Sequence, residues 1–280
     1  MCTNRDINEA RMTIDVDRPH RLSDSQVAQF RRDGFIKLKD VFNAEELRHY
    51  GEEITRLTIA LNTQTLPLEQ RSTYDRAFLQ VMNLWRESER VREFVFGKRL
   101  AGLAAALLQV DGVRLYHDQA LYKEPGGGIT PAHADQYYWP VDSDRCITAW
   151  VPLQAVPQEM GPLAFFAGSQ DVEFGRDLGI SDESEQLITA NMEAHGFPVV
   201  DAPFELGEVS FHLGWTFHRA GPNRSDRPRA VMTVIYIDRD MRLKAPENHM
   251  QQADWEKWCP GAVVGEVIDS PINPVLFEPT

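Results

Sequence analysis

VRLYHDQALYKEP, residues 113–125, is where the chain changes its period. Before it, apolar residues recur at three- and four-residue steps. From it onward they alternate or run in short β-branched and aromatic blocks. The blocks are this one, CITAWVPLQAV (146–156), PLAFFA (162–167), EVSFHLG (208–214) and AVMTVIYID (230–238), separated by Gly, Pro, Asn and Asp. Many strands without intervening helices favour a β-sandwich or barrel over βαβ units.

Upstream, SDSQVAQFRRD (23–33) reads as a helix capped by Ser23 and stopped by Gly34. FIKLKDVF (35–42) reads as a strand. Asn43, with Glu46 as capping-box partner, opens a second helix whose Leu47, Tyr50, Ile54, Leu57 and Leu61 form one buried face. Residues 62–73 are polar and read as a loop. The pattern predicts helix across 78–110, broken near Ser88 and Gly97. No repeat or Gly/Ser linker divides the chain. The expectation is one domain over 1–280: a mainly helical buttress (1–111), a β-core (112–240) and a C-terminal extension (241–280). Segments near 74–90 and 171–200 are the candidate lids.

Composition narrows the function. With 280 residues, 42% apolar and 25% charged, the chain is long enough for a large core and too apolar for global disorder. A net charge of −13 argues against nucleic acid as partner, because phosphate binding relies on clustered Lys and Arg. Cys2, Cys146 and Cys259 lack C-x-x-C spacing and suit a reducing compartment. The polar opening MCTNRDINEARMTIDVDR has no apolar h-region, and no run approaches the roughly 18 apolar residues of a membrane span. The expectation is a cytoplasmic protein that acts on a small molecule, away from any membrane.

Candidate chemistry begins at TPAHADQYYWP (130–140). In an extended chain His133 and Asp135 point the same way and can reach one ion, although His-x-Asp alone is a weak motif. Of the eight histidines, His117, His212 and His218 lie in the β region, whereas His20, His49, His195 and His249 sit in polar, helical or loop contexts. His218 stands at a strand end before the Gly221-Pro222-Asn223 turn, and His212 lies six residues earlier. Spacing does not choose between them, and a core histidine bonded to backbone is the commoner fate of a residue like His212.

Two imidazoles and one carboxylate on one face of an ion leave half its sphere open, the arrangement suited to non-haem Fe(II) with O₂ and a co-substrate. A closed zinc site would need a fourth ligand, and neither Cys146 nor Cys259 has suitable spacing. A dicarboxylate co-substrate would need a cation at its far end, and arginine grips carboxylates with two parallel hydrogen bonds. Arg229 opens the strand before Ala230 and shares a face with Val231, Thr233 and Ile235. Its rivals Arg224 and Arg227 lie in the polar loop PNRSDRP.

These residues resemble the phytanoyl-CoA dioxygenase family of Fe(II)- and 2-oxoglutarate-dependent oxygenases. The likeness spans most of the chain. It runs through DGFIKL, YKEPGGGITPAHADQYYW, ITAWVPLQAV, EMGPLAFFAGSQ, GEVSFHLGWTFHRAGPNRSDRPR and a tail ending in NPVLF. The resemblance implies a double-stranded β-helix (jelly-roll, cupin-like) core buttressed by helices. It implies His133, Asp135 and His218 as iron ligands, which selects His218 over His212, and Arg229 as the 2-oxoglutarate partner. Gln119, Lys123, Thr148 and Trp150 would line the co-substrate pocket, with Tyr137, Tyr138 and Trp139 near the substrate. O₂ would be the second co-substrate, and succinate and CO₂ would accompany oxidation of a small organic molecule. Related halogenases lack the carboxylate at Asp135, so its presence implies hydroxylation or a related oxidation. The rival reading is a cupin-like metal protein that binds or isomerises a ligand without O₂ chemistry. Two departures from the family pattern are Ala167-Gly168-Ser169-Gln170, where PGSH is common, and Glu208 in place of an aspartate.

Overall fold

Capping shapes the start of the chain. In a computed structural model, which describes residues 14–278, α1 (Asp24–Asp33) is capped by reciprocal hydrogen bonds between Ser23 and Gln26. It ends at Gly34 with φ of 76°. The left-handed turn there is what requires glycine. β1 (Phe35–Leu38) follows, and then Asn43 and Glu46 form the capping box of α2 (Ala44–Leu61). α3 (Thr73–Ala77), β2 (Leu79–Met82), α4 (Glu89–Val95) and α5 (Lys98–Leu108) complete the first part. Arg99 of α5 reaches both carboxylate oxygens of Glu46 at 2.8 and 3.0 Å, a buried bidentate pair that ties α5 to α2.

The remaining elements are β3 (Val113–Lys123), β4 (Thr130–His133), β5 (Cys146–Pro152), β6 (Leu163–Phe166), α6 (Asp182–Ala194), β7 (Val199–Asp201), β8 (Val209–Leu213), β9 (His218–Ala220), β10 (Arg229–Asp238), α7 (His249–Trp258) and β11 (Val275–Phe277). They form two antiparallel sheets. The seven-stranded sheet runs β1-β8-β5-β10-β3-β11, with β2 also paired to β3. The four-stranded sheet runs β4-β9-β6-β7.

Period-2 alternation gives the large sheet two faces. Met232 and Val234 of β10 pack with Ala149, Val151 and Phe211 against Leu47, Tyr50, Phe94 and Leu103 of the helices. On the other face Val231 and Trp150 meet Leu163, Phe165 and Ala220 of the small sheet. The site lies between the sheets, on this second face.

Several expectations need correction. Residues 79–82 form strand β2, not helix, because the edge of β3 offers them partners from Tyr122 to Gln119. The strand predicted over 35–42 stops at Leu38 and turns before Asn43. The candidate lid segment 171–200 contains α6, capped by Ser181, so a helix does interrupt the run of strands. His133 ends β4, while Asp135 opens a 3-10 turn (Asp135–Tyr138), so the pair does not share a strand face. Cys146 and Cys259 are buried and unpaired, whereas Cys2 and the opening stretch 1–13 lie outside the described residues. Among the described residues no helix is long and apolar enough to cross a membrane.

Candidate metal and co-substrate site

Register brings the distant histidines together. β4 and β9 pair so that His133 lies directly opposite His218, with ring centroids 4.3 Å apart. Each is fixed through its far nitrogen. His133 Nδ1 lies 2.7 Å from the Pro131 carbonyl, and His218 Nδ1 lies 2.9 Å from that of Thr216. A carbonyl can only accept, so Nδ1 carries a proton and Nε2 is the nitrogen that each ring turns toward the centre. The backbone leaving β4 then turns into the 3-10 segment and swings Asp135 between the rings. Its Oδ1 lies 3.4 Å from His133 Nε2 and 3.6 Å from His218 Nε2. One donor atom from each of the three residues falls within 4.8 Å of the others.

The second carboxylate oxygen is held from the opposite side. Oδ2 accepts the Thr148 hydroxyl at 2.8 Å and His212 Nε2–H at 3.1 Å. Thr148 and His212 are themselves register partners on β5 and β8. Burial pushes the Asp135 carboxyl up, but the neighbouring imidazoles of His218, His133 and His212 outweigh it and hold it well below the ordinary carboxylate range. Burial, with His133 and His212, holds His218 well below its ordinary value and keeps it neutral.

A cavity of about 330 Å³ opens from this centre. Alternate residues of the large sheet form its floor, with Thr233 flanked in register by Gln119 and Trp150. At one end Arg229 is 2% exposed, with its guanidinium 5.4 Å over the Trp150 ring. Its recorded hydrogen bond goes to the Gly161 carbonyl; its Nε has no partner, and no acidic side chain pairs with it among the described residues. Burial pulls its pKa down to about 10. Gly161, at φ 67°, approaches Gly221 so closely that a Cβ would lie 2.2 Å from the Gly221 oxygen. That contact packs the loop carrying the Arg229 partner against the end of β9.

Of the remaining sequence candidates, Gln119, Thr148, Trp150, Tyr138 and Trp139 line the cavity. Lys123 and Tyr137 do not. Lys123 lies opposite Arg229 in the β3–β10 register, but its ammonium turns to the Gly128 and Gly221 carbonyls and the Thr130 hydroxyl. It clamps the glycine loop that leads into β4. Tyr137 faces a separate polar groove with Trp215 and Gln251.

Sequence reasoning missed two contributors. His212 contacts Asp135 instead of being a core histidine bonded to backbone; its even spacing with His218 was the available signal. α7 supplies Met250, Ala253, Asp254, Lys257 and Trp258 to the wall, with the Asn248 cap as its only marker. From the suspected lid segments, Tyr74, Phe78, Gln80, Met82 and Ile180 also reach the cavity. The two departures are structural. Ser169 accepts the Phe217 amide beside His218, Gln170 bonds the end of α1, and Glu208 pairs with Lys37.

Comparison with known proteins agrees with this geometry. The family profile for phytanoyl-CoA dioxygenase (PhyH) matches residues 30–231. Ectoine dioxygenase of Sphingopyxis alaskensis is 25% identical over 256 residues, covering 84% of this chain and 82% of that protein. A probable alpha-ketoglutarate-dependent hypophosphite dioxygenase of Stutzerimonas stutzeri is 22% identical over 232 residues, covering 77% and 78%. Among solved structures, the epimerase SnoN in complex with Fe³⁺, alpha ketoglutarate and nogalamycin RO superposes with a TM-score of 0.75 at 26% identity, covering 90% of this chain and 98% of that one.

Proposed function

The chain belongs to the phytanoyl-CoA dioxygenase family, and from that premise we propose an Fe(II)- and 2-oxoglutarate-dependent oxygenase that hydroxylates a small organic molecule. One observation carries the reading. Two imidazoles and a carboxylate converge on one wall of a cavity whose end holds a buried arginine with no acidic partner among the described residues. An unpaired buried cation is costly, so the pocket is built for an anion. The donor set suits a divalent iron that keeps open positions.

In this reading His133, Asp135 and His218 hold the metal, and Arg229 grips the distal carboxylate of 2-oxoglutarate from its place over Trp150. Gln119, Thr233 and Trp150 form the surface along which the co-substrate lies. Bound iron and 2-oxoglutarate together supply the O₂-dependent oxidation, with succinate and CO₂ as accompanying products. The chain supplies position and dryness. The Nδ1–H groups of His133 and His218 are held by backbone carbonyls, so Nε2 is the nitrogen each ring offers the metal.

The outer wall describes the substrate. Tyr138, Trp139, Tyr74, Phe78, Met250 and Trp258 favour a compact, largely apolar molecule. Asp254, which accepts the Tyr116 hydroxyl at 3.2 Å, offers that molecule a polar anchor. The whole chain is read as one domain, with its two sheets closing as a double-stranded β-helix.

Anaerobic addition of Fe(II) and 2-oxoglutarate is expected to give a weak visible charge-transfer band, and admission of air with a substrate library to give substrate-dependent succinate. A protein that binds metal but shows neither band nor succinate would instead fit ligand binding without O₂ chemistry.

A further inference from the structure

We propose that His212 is a positioning residue which, with Thr148, keeps Asp135 a one-oxygen ligand. The proposal rests on the reading of His133, Asp135 and His218 as the metal-binding set. Within that set Oδ1 faces both Nε2 atoms, and Oδ2 is turned away toward Thr148 at 2.8 Å and His212 at 3.1 Å.

A carboxylate free to rotate about its Cβ–Cγ bond can close both oxygens on one ion. Here rotation would break two hydrogen bonds whose donors are fixed opposite each other on adjacent strands. Keeping Oδ2 off the ion keeps half the coordination sphere open, which a chelating keto acid and O₂ require.

The surroundings of His212 separate this role from simple packing. The residue is 1% exposed and its ring lies among His218 and Phe165, with centroids at 4.4 and 5.5 Å. Its Nε2 donates to Asp135, while its Nδ1 is buried with no partner among the described residues. A phenylalanine would fill the same space without stranding a nitrogen. The hydrogen bond to Asp135 is what the imidazole adds to the site.

The test is anaerobic titration of the full chain with Co(II), a probe that consumes no O₂, followed by 2-oxoglutarate. His212→Phe is expected to weaken Co(II) binding about 10- to 100-fold and to weaken 2-oxoglutarate binding to the cobalt form, because the freed oxygen competes for an open position. His212→Gln, whose amide N–H can reach the same oxygen, is expected to recover most of both. Thr148→Val should move both affinities in the same direction as His212→Phe, and it decides the matter if His212→Phe does not fold. Wild-type affinities in His212→Phe or in Thr148→Val would overturn the proposal. So would equal impairment of the Phe and Gln variants, or a drop in metal-free thermal stability with unchanged metal affinity. Asp135→Ala serves as the control: retention of full Co(II) binding there counts against the ligand assignment itself.

Discussion

Arg229 and Lys123 lie side by side across β3 and β10, yet they do different work. Burial, with Arg229 beside it, pulls the Lys123 ammonium down to about 6, while its hydrogen bonds go to backbone and to Thr130. Arg229 keeps its charge and has donor capacity unspent. Arg229→Ala is therefore expected to raise the KM for 2-oxoglutarate by about 30-fold or more, the range for leaving a buried charge partner unmet, with little effect on Co(II) affinity. Arg229→Lys should recover only part of the loss, since an ammonium cannot present a planar fork. Isothermal titration of both ligands checks this, and equal weakening of metal and co-substrate would count against it. The sequence could place Arg229 on an inward face by counting in twos. It could not show that Lys123, on the partner strand, would bend away to oxygens of the adjoining Gly128–Thr130 segment and of Gly221, far off in the chain.

Elements were readable where one period dominated. Ser23, Asn43 and Gly34 mark helix ends because capping is local chemistry, and β10 reads as a strand because Val231, Thr233, Val234, Ile235, Tyr236 and Ile237 all favour one. β2 was misread because its short apolar run fits a helix as well as a strand, and only the open edge of β3 decides between them. α7 was missed because it buries little of itself: Gln251 is its one buried residue, so no apolar stripe announces it. The turn after β2 has a pH-sensitive anchor. Asp118 of β3 accepts the Leu84 amide at 2.9 Å and the Trp85 amide at 3.3 Å, yet burial pushes its carboxyl up from 3.8 to about 7. The folded state then binds a proton more tightly than the unfolded chain. Its contribution to stability is greatest below pH ~4 and is lost as pH rises toward 7. Asp118→Asn should thus melt higher than wild type at pH 8 and show a flatter profile between pH 5 and 7. A steeper profile in the variant would contradict the assignment.

At the scale of the molecule, the two-sheet arrangement could be inferred from strand patterning, but the cavity wall could not. It is assembled from residues 74–82, Ile180 and α7, three segments that meet only in the folded chain. This division separates affinity for the metal from choice of substrate. Trp258→Ala should leave Co(II) and 2-oxoglutarate binding within about twofold of wild type, as expected for sites without shared partners, while changing which library members stimulate succinate formation. A further consequence comes from the provenance of the side chains proposed to hold the metal and co-substrate. His133 and His218 belong to the small sheet, whereas Arg229 belongs to the large one. A metal and its chelating keto acid, loaded together, would act as a rivet through the two layers. The melting temperature with both bound should exceed the sum of the separate shifts, because each ligand is fastened to a different half of the sandwich and neither half can peel away alone.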